Sequence, residues 1–137
     1  MAPAERLGPA DEKVTINVGP VDLGKVDLLV SEGIYASRTD FIRDSIRRQL
    51  DKHEAFVQEA VIKNHLNIGF TYLGRKDFEK MRARGQRIKL RVIGAVVLGN
   101  DITPELAESV VEHVTVLGSF RGPKDVIERL RARQETT

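Results

Sequence analysis

The most constraining feature of the sequence is a solitary amphipathic strand close to its start. In KVTINV, Lys13–Val18, the apolar Val14, Ile16 and Val18 alternate with Lys13, Thr15 and Asn17. This period of two predicts a strand with one apolar and one polar face. Gly19-Pro20 stops it, because proline has no N–H to offer a ladder. A strand this short has no independent stability, and no partner strand follows nearby. It must therefore pair with something else.

Helical spacing takes over at once. Leu23, Val26, Leu29 and Val30 predict a helix from about Val21 to Glu32, ended by Gly33 in the left-handed conformation. Gly24 inside it costs about 1 kcal/mol relative to alanine. Tyr35-Ala36-Ser37 reads as a turn. Ser37 then caps a second helix, with Asp40 placed at the positive end of its dipole. Phe41, Ile42, Ile46 and Leu50 carry the apolar stripe of that helix, and Phe56, Val57, Ala60 and Val61 prolong it toward Lys63.

Beyond His65 three segments look alike: LNIGFTYLGRKDFEKM, RVIGAVVLGNDITPEL and TVLGSFRGPKDVIERL. Gly69, Gly94 and Gly118 align at spacings of 25 and 24 residues, and each is followed by a second glycine (Gly74, Gly99, Gly122) and a helix start. Thr103-Pro104-Glu105 is an N-cap with proline at the first helical position, and Gly122-Pro123 imitates it. Each unit reads as a short apolar strand, a tight turn and one or two turns of helix, an arrangement that predicts a small solenoid-like domain. So few units sit near the minimum for a continuous core, which makes oligomerisation a natural source of added stability.

Composition excludes more than it identifies. The chain has 137 residues, 41% hydrophobic and 31% charged, which suits one ordinary domain or two very small ones. No apolar run reaches the length of a membrane span. MAPAERLGPADE has no apolar stretch behind its charge and reads as a flexible tail rather than a secretory signal. With no cysteine and with His53, His65 and His113 isolated, no metal-ligand set or thiol chemistry is expected. No cofactor is expected either. Gly94–Gly99 lacks a P-loop lysine, Asp101 and Glu105 read as helix-start charges, and no nucleophile motif is present, so the chain does not read as an enzyme. The net charge of +2 says little about a polyanionic partner, because a local basic face matters more than the total.

The order strand, helix, capped turn, helix within about 40 residues is the layout of the ribbon-helix-helix fold. The run VTINVGPVDLGKVDLLVSEGIYASRTDFIRDSIRRQL resembles the CopG-type branch of that family and is similar, without a gap, to the N-terminal module of the nickel-responsive regulators. The resemblance rests on the alternating strand, on Val26, Asp27 and Leu29, on the Tyr35 turn, and on Ser37-Arg38-Thr39-Asp40-x-Ile42-Arg43-Asp44. Ile34 departs from it, since many members have glycine before the tyrosine, and here Gly33 is displaced by one position. Tyr35 is expected to pack at the turn.

The resemblance covers residues 13–52; joined to the repeat pattern read above, it predicts an α+β chain. Residues 1–11 would be a tail, 12–53 a ribbon-helix-helix domain, 54–64 a linker or helix extension, and 65–133 a strand-helix repeat domain for oligomerisation. It also resolves the lone strand, because two chains of this family pair their strands as an antiparallel ribbon over four helices. Val14, Ile16 and Val18 would then be buried, and Lys13, Thr15 and Asn17 would face the bases of the major groove. Ser37, Arg38 and Thr39 would hold a DNA phosphate at a helix N-terminus. Arg43 is a further phosphate candidate, although exposed ion pairs serve equally well for it and for Arg47 and Arg48. The implied partners are double-stranded DNA and further copies of the chain, as a homodimer through the strand and a tetramer or more through the repeats, in the cytoplasm. The implied role is a transcriptional regulator, in particular a repressor. A DNA-anchored assembly protein, for plasmid partition or nucleoid organisation, is the alternative, and an antitoxin is a third.

Overall fold

The computed structural model describes residues 11–134, so the tail expected over 1–11 lies outside them except for its last residue. Residues 13–59 form one compact unit; residues from Ala60 onward, with the segment ending at Glu12, form the other.

In the N-terminal unit, helix α1 spans Pro20–Ser31, with proline in its first turn after the extended Gly19. Its end satisfies the last carbonyls as a Schellman motif: Gly33 N–H donates to Val30 O at 3.1 Å and Ile34 N–H to Leu29 O at 3.0 Å. Gly33 has φ +78, the left-handed conformation that the sequence placed there. Displacing the glycine by one position therefore leaves a working turn. Helix α2 spans Arg38–Lys52, and α3 spans Glu54–Lys63. The continuous helix expected toward Lys63 is broken at His53, whose N–H returns to Leu50 O at 3.0 Å. Within the single chain Lys13–Val18 forms no strand, and α1, α2 and α3 contain no buried residue.

The C-terminal unit runs β1 (Asn67–Leu73), α4 (Arg75–Ala83), β2 (Ile88–Leu98), α5 (Pro104–Val110), β3 (Val111–Arg121) and α6 (Lys124–Arg131). Its sheet is parallel throughout, in the order β1-β2-β3. Alternate residues Leu90, Val92, Val96 and Leu98 of β2, with Val114 of β3, pack against Phe78 of α4, Leu106 and Val110 of α5, and Val126 and Leu130 of α6. All three helices thus cover one face, α4 beside α5 and α5 beside α6.

β2 and β3 are each 11 residues long, not the short strands expected. Their first halves were hidden because Lys89, Arg91, Glu112 and His113 interrupt the apolar run, while Leu90 and Val114 still reach the core. α5 also passes into β3 with no intervening loop. Thr103 caps α5 by accepting from Leu106 N–H at 3.2 Å, with Pro104 in the first turn. Pro123 instead stands at the cap of α6, one place earlier than its imitation of Pro104 suggested.

The register pairs Gly69 with Gly94 and Gly94 with Gly118. Gly94 and Gly118 have φ values of +138 and +124, and a Cβ on either would fall on the carbonyl oxygen of the preceding glycine in the row. Glycine is thus needed here for close approach of neighbouring strands as well as for the dihedral. Gly94→Ala is expected to destabilise the C-terminal unit by at least about 3 kcal/mol, combining dihedral strain with a backbone clash. Denaturant unfolding measures it, and a loss below about 1 kcal/mol would refute the packing described.

Candidate nucleic-acid interface

Residues 13–18 separate by parity. Val14, Ile16 and Val18 line an open apolar groove of about 820 Å³, together with Leu23, Val26 and Leu29 of α1 and Phe41, Ile46 and Leu50 of α2. Lys13, Thr15 and Asn17 do not line it and are exposed. The groove is uncovered: Val14 is 80% exposed and Ile16 64%. The apolar face of the segment and the apolar stripes of both helices therefore converge on one surface that a single chain leaves in water.

The start of α2, whose Arg38 and Phe41 also line the groove, is held by several contacts. Ser37, extended at φ −159, accepts the Asp40 N–H on its hydroxyl at 3.1 Å. This satisfies one of the free first-turn N–H groups. Arg38 lies across to α1, where its Nε and Nη2 donate to the two carboxylate oxygens of Asp27 at 2.7 and 2.8 Å. Hydrogen bonding from that guanidinium holds the Asp27 carboxyl below its ordinary range. Tyr35 packs edge-on against Phe41, with ring centroids 5.2 Å apart, and its hydroxyl donates to Asp44 Oδ2 at 2.7 Å. Arg48 Nε donates to the same oxygen at 2.8 Å. Tyr35 and then Arg48 lower the Asp44 pKa, and the same Asp44 bond raises that of the phenol.

Thr39 and Arg43 are exposed. Arg43 lines a shallow hollow of about 510 Å³ with Tyr35, Asp40, Asp44, Arg47 and Arg48. Ser37, Arg38 and Thr39 are thus consecutive at one helix N-terminus, with Arg43 farther along α2. Lys13, Thr15 and Asn17 lie on the separate segment before α1. Asp27 and Asp44 entered the sequence reading only as residues that carry the resemblance, with no partner assigned to either. Asp44 had a readable signal, since Arg48 stands four residues after it on the same helix. Asp27 had none, because its partner is 11 residues away on another helix.

The model of the Ribbon-Helix-Helix transcriptional regulator family matches residues 9–127. Spanning both units, that match places the chain in the family: it is a ribbon-helix-helix protein, of a class whose members bind DNA to regulate transcription. No curated protein and no solved structure matches the chain. Among the described residues, no helix is long and apolar enough to cross a membrane.

Ser37→Ala is expected to cost about 1 kcal/mol, the usual value of a helix N-cap, measured by denaturant unfolding. Asp27 and Asp44 have folded pKa values below their unfolded ones, so their contribution is present above the ordinary carboxylate range. It is lost as pH falls through the lowered values. The melting temperature should therefore drop as the pH goes below about 4, and more steeply in the wild type than in Asp27→Asn/Asp44→Asn. Equal slopes would show that these pairs are screened to insignificance.

Proposed function

We propose that the chain is a sequence-specific DNA-binding repressor that acts as a two-fold dimer, its residues 13–18 paired with those of a second copy as a ribbon in the major groove. The observation that carries this reading is the parity of the segment. Its apolar side chains share one uncovered groove with both helices, while Lys13, Thr15 and Asn17 stay outside it. A second copy supplies the missing strand and covers the groove. The polar residues are then presented twice, on an element that the major groove admits. Lysine suits guanine acceptors, asparagine suits adenine, and threonine can bond or meet a methyl group.

The phosphate contacts belong to Ser37, Arg38, Thr39 and Arg43. Ser37 already serves as a cap, and its role toward DNA is to keep the α2 N-terminus open for an anion. Arg38 is paired with Asp27, so the backbone N–H groups beside it, with Thr39, form the nearer anion site. Arg43 resolves into a peripheral contact at the edge of the hollow. Such contacts set register, whereas base contacts set sequence.

The C-terminal unit would join dimers into tetramers or larger arrays on neighbouring operator sites. A DNA-anchored assembly protein has the same ribbon and differs in what its C-terminal unit does; the exposed Ile68, Phe70 and Tyr72 of β1 favour self-association in either case. The antitoxin reading loses support, because it needs a segment that folds on its target, and residues 66–130 have a buried core of their own. The site of action follows the DNA, on the nucleoid in the cytoplasm.

Binding to the chain's own promoter region tests the assignment. Thr15→Ala/Asn17→Ala should weaken the specific complex at least tenfold, about 1.4 kcal/mol, and leave affinity for unrelated DNA unchanged. Arg43→Ala should weaken both alike and flatten the salt dependence. Unchanged specific affinity in the double variant would remove the base-reading role.

A further inference from the structure

The two edges of the C-terminal sheet are treated differently. On β3 the outer edge is partly covered: Val114 N–H donates to Arg133 O at 3.3 Å, and Val114 bridges to Gln134. β1 pairs with β2 alone, and no strand among the described residues lies on its other side. Chains usually shield an open edge with charge, proline or a covering segment. β1 reads NIGFTYL and carries neither charge nor proline. Its alternate residues Ile68, Phe70 and Tyr72, on the face away from α4–α6, are 60%, 41% and 39% exposed.

Gly69 supplies a second and independent observation. Its φ of +144 repeats those of Gly94 and Gly118, at +138 and +124. For those two glycines the neighbouring strand's carbonyl fills the place a Cβ would take; at Gly69 nothing lies within 4 Å of that place. A conformation closed to most side chains is therefore held where the single chain makes no use of it. The vacant side of Gly69 is the side from which another strand would approach.

We infer that β1 pairs with β1 of a second copy, antiparallel about a two-fold axis near Phe70, joining two three-stranded sheets into one. A head-to-tail extension from β3 to β1 would have to displace Arg133 and Gln134, whereas a two-fold contact uses the open edge twice and closes. With the axis near Phe70, that ring meets its own mate and Ile68 meets Tyr72 across the junction. Such apolar and aromatic cross-strand pairs are what stabilises adjoining strands. The contact gives a surface to the self-association proposed above and rests on that part of the reading, not on the ribbon.

The test uses the full-length chain, which has no cysteine of its own. Opposed Cα atoms in an antiparallel pair come within disulfide reach. Phe70→Cys should form a covalent dimer on mild oxidation, and the exposed control Glu128→Cys should not. In parallel, light scattering follows Ile16→Asp, which breaks the ribbon. That variant should remain a dimer, and adding Ile68→Lys/Phe70→Lys should halve its mass while helix content stays unchanged. Absence of the Phe70→Cys cross-link, or a monomeric Ile16→Asp variant, overturns the β1 contact and leaves the ribbon standing. If instead Ile16→Asp leaves the wild-type mass unchanged and the lysine pair alone yields monomers, the ribbon reading fails and the β1 contact holds.

Discussion

Everything in the N-terminal unit depends on apolar surface that one chain has no means of burying. Val14, Ile16 and Val18 face the stripes of α1 and α2 across an open groove, and none of the unit's helices has a buried residue. What order the unit has within a single chain comes from short-range devices: a Schellman turn, a serine cap, the Arg38–Asp27 fork and the Tyr35–Asp44–Arg48 cluster. Of these only the Arg38–Asp27 fork joins the two helices, and an exposed ion pair is a weak tie in water. The larger hydrophobic contribution would come from covering that apolar surface, and with the proposed dimer it would link folding of this unit to its concentration.

The C-terminal unit is built on the opposite principle. It has a closed core, with Phe78, Val110, Val111, Val126 and Leu130 fully buried, and a sheet whose strands approach closely at the glycine row. Its core is closed within one chain, and among the described residues no strand covers the outer edge of β1. The two units thus leave different surfaces open in a single chain: apolar helix stripes in one case and a strand edge in the other.

The parts legible in the sequence were those written in local periodicity. The α1 and α2 helices, the left-handed Gly33 and the caps Ser37 and Thr103 all follow from residues within one turn of where they act. The lengths of β2 and β3 were not legible, because charged residues on the outer face broke the apolar signal that the inner face kept. The break at His53 was equally silent, since the apolar stripe continues on both sides of it. Lys13, Thr15 and Asn17 stood out as a polar face through alternation, and their proposed role toward bases came from the resemblance. The pairing of Asp27 with Arg38 was not legible, since it arises from the packing of one helix on another.

That fork has a thermodynamic consequence for any anion brought to the start of α2. Arg38 is already neutralised by Asp27, so a phosphate reaching its guanidinium does not meet a free cation. It competes with a carboxylate, and winning leaves Asp27 without its counter-charge. Under the proposed phosphate contact, Arg38 would exchange an internal anion for an external one, and the net change in charge pairing would be close to zero. An arginine of this kind adds less to the ionic-strength dependence of complex formation than its position alone would indicate. Its influence would go instead into how firmly α1 is tied to the start of α2.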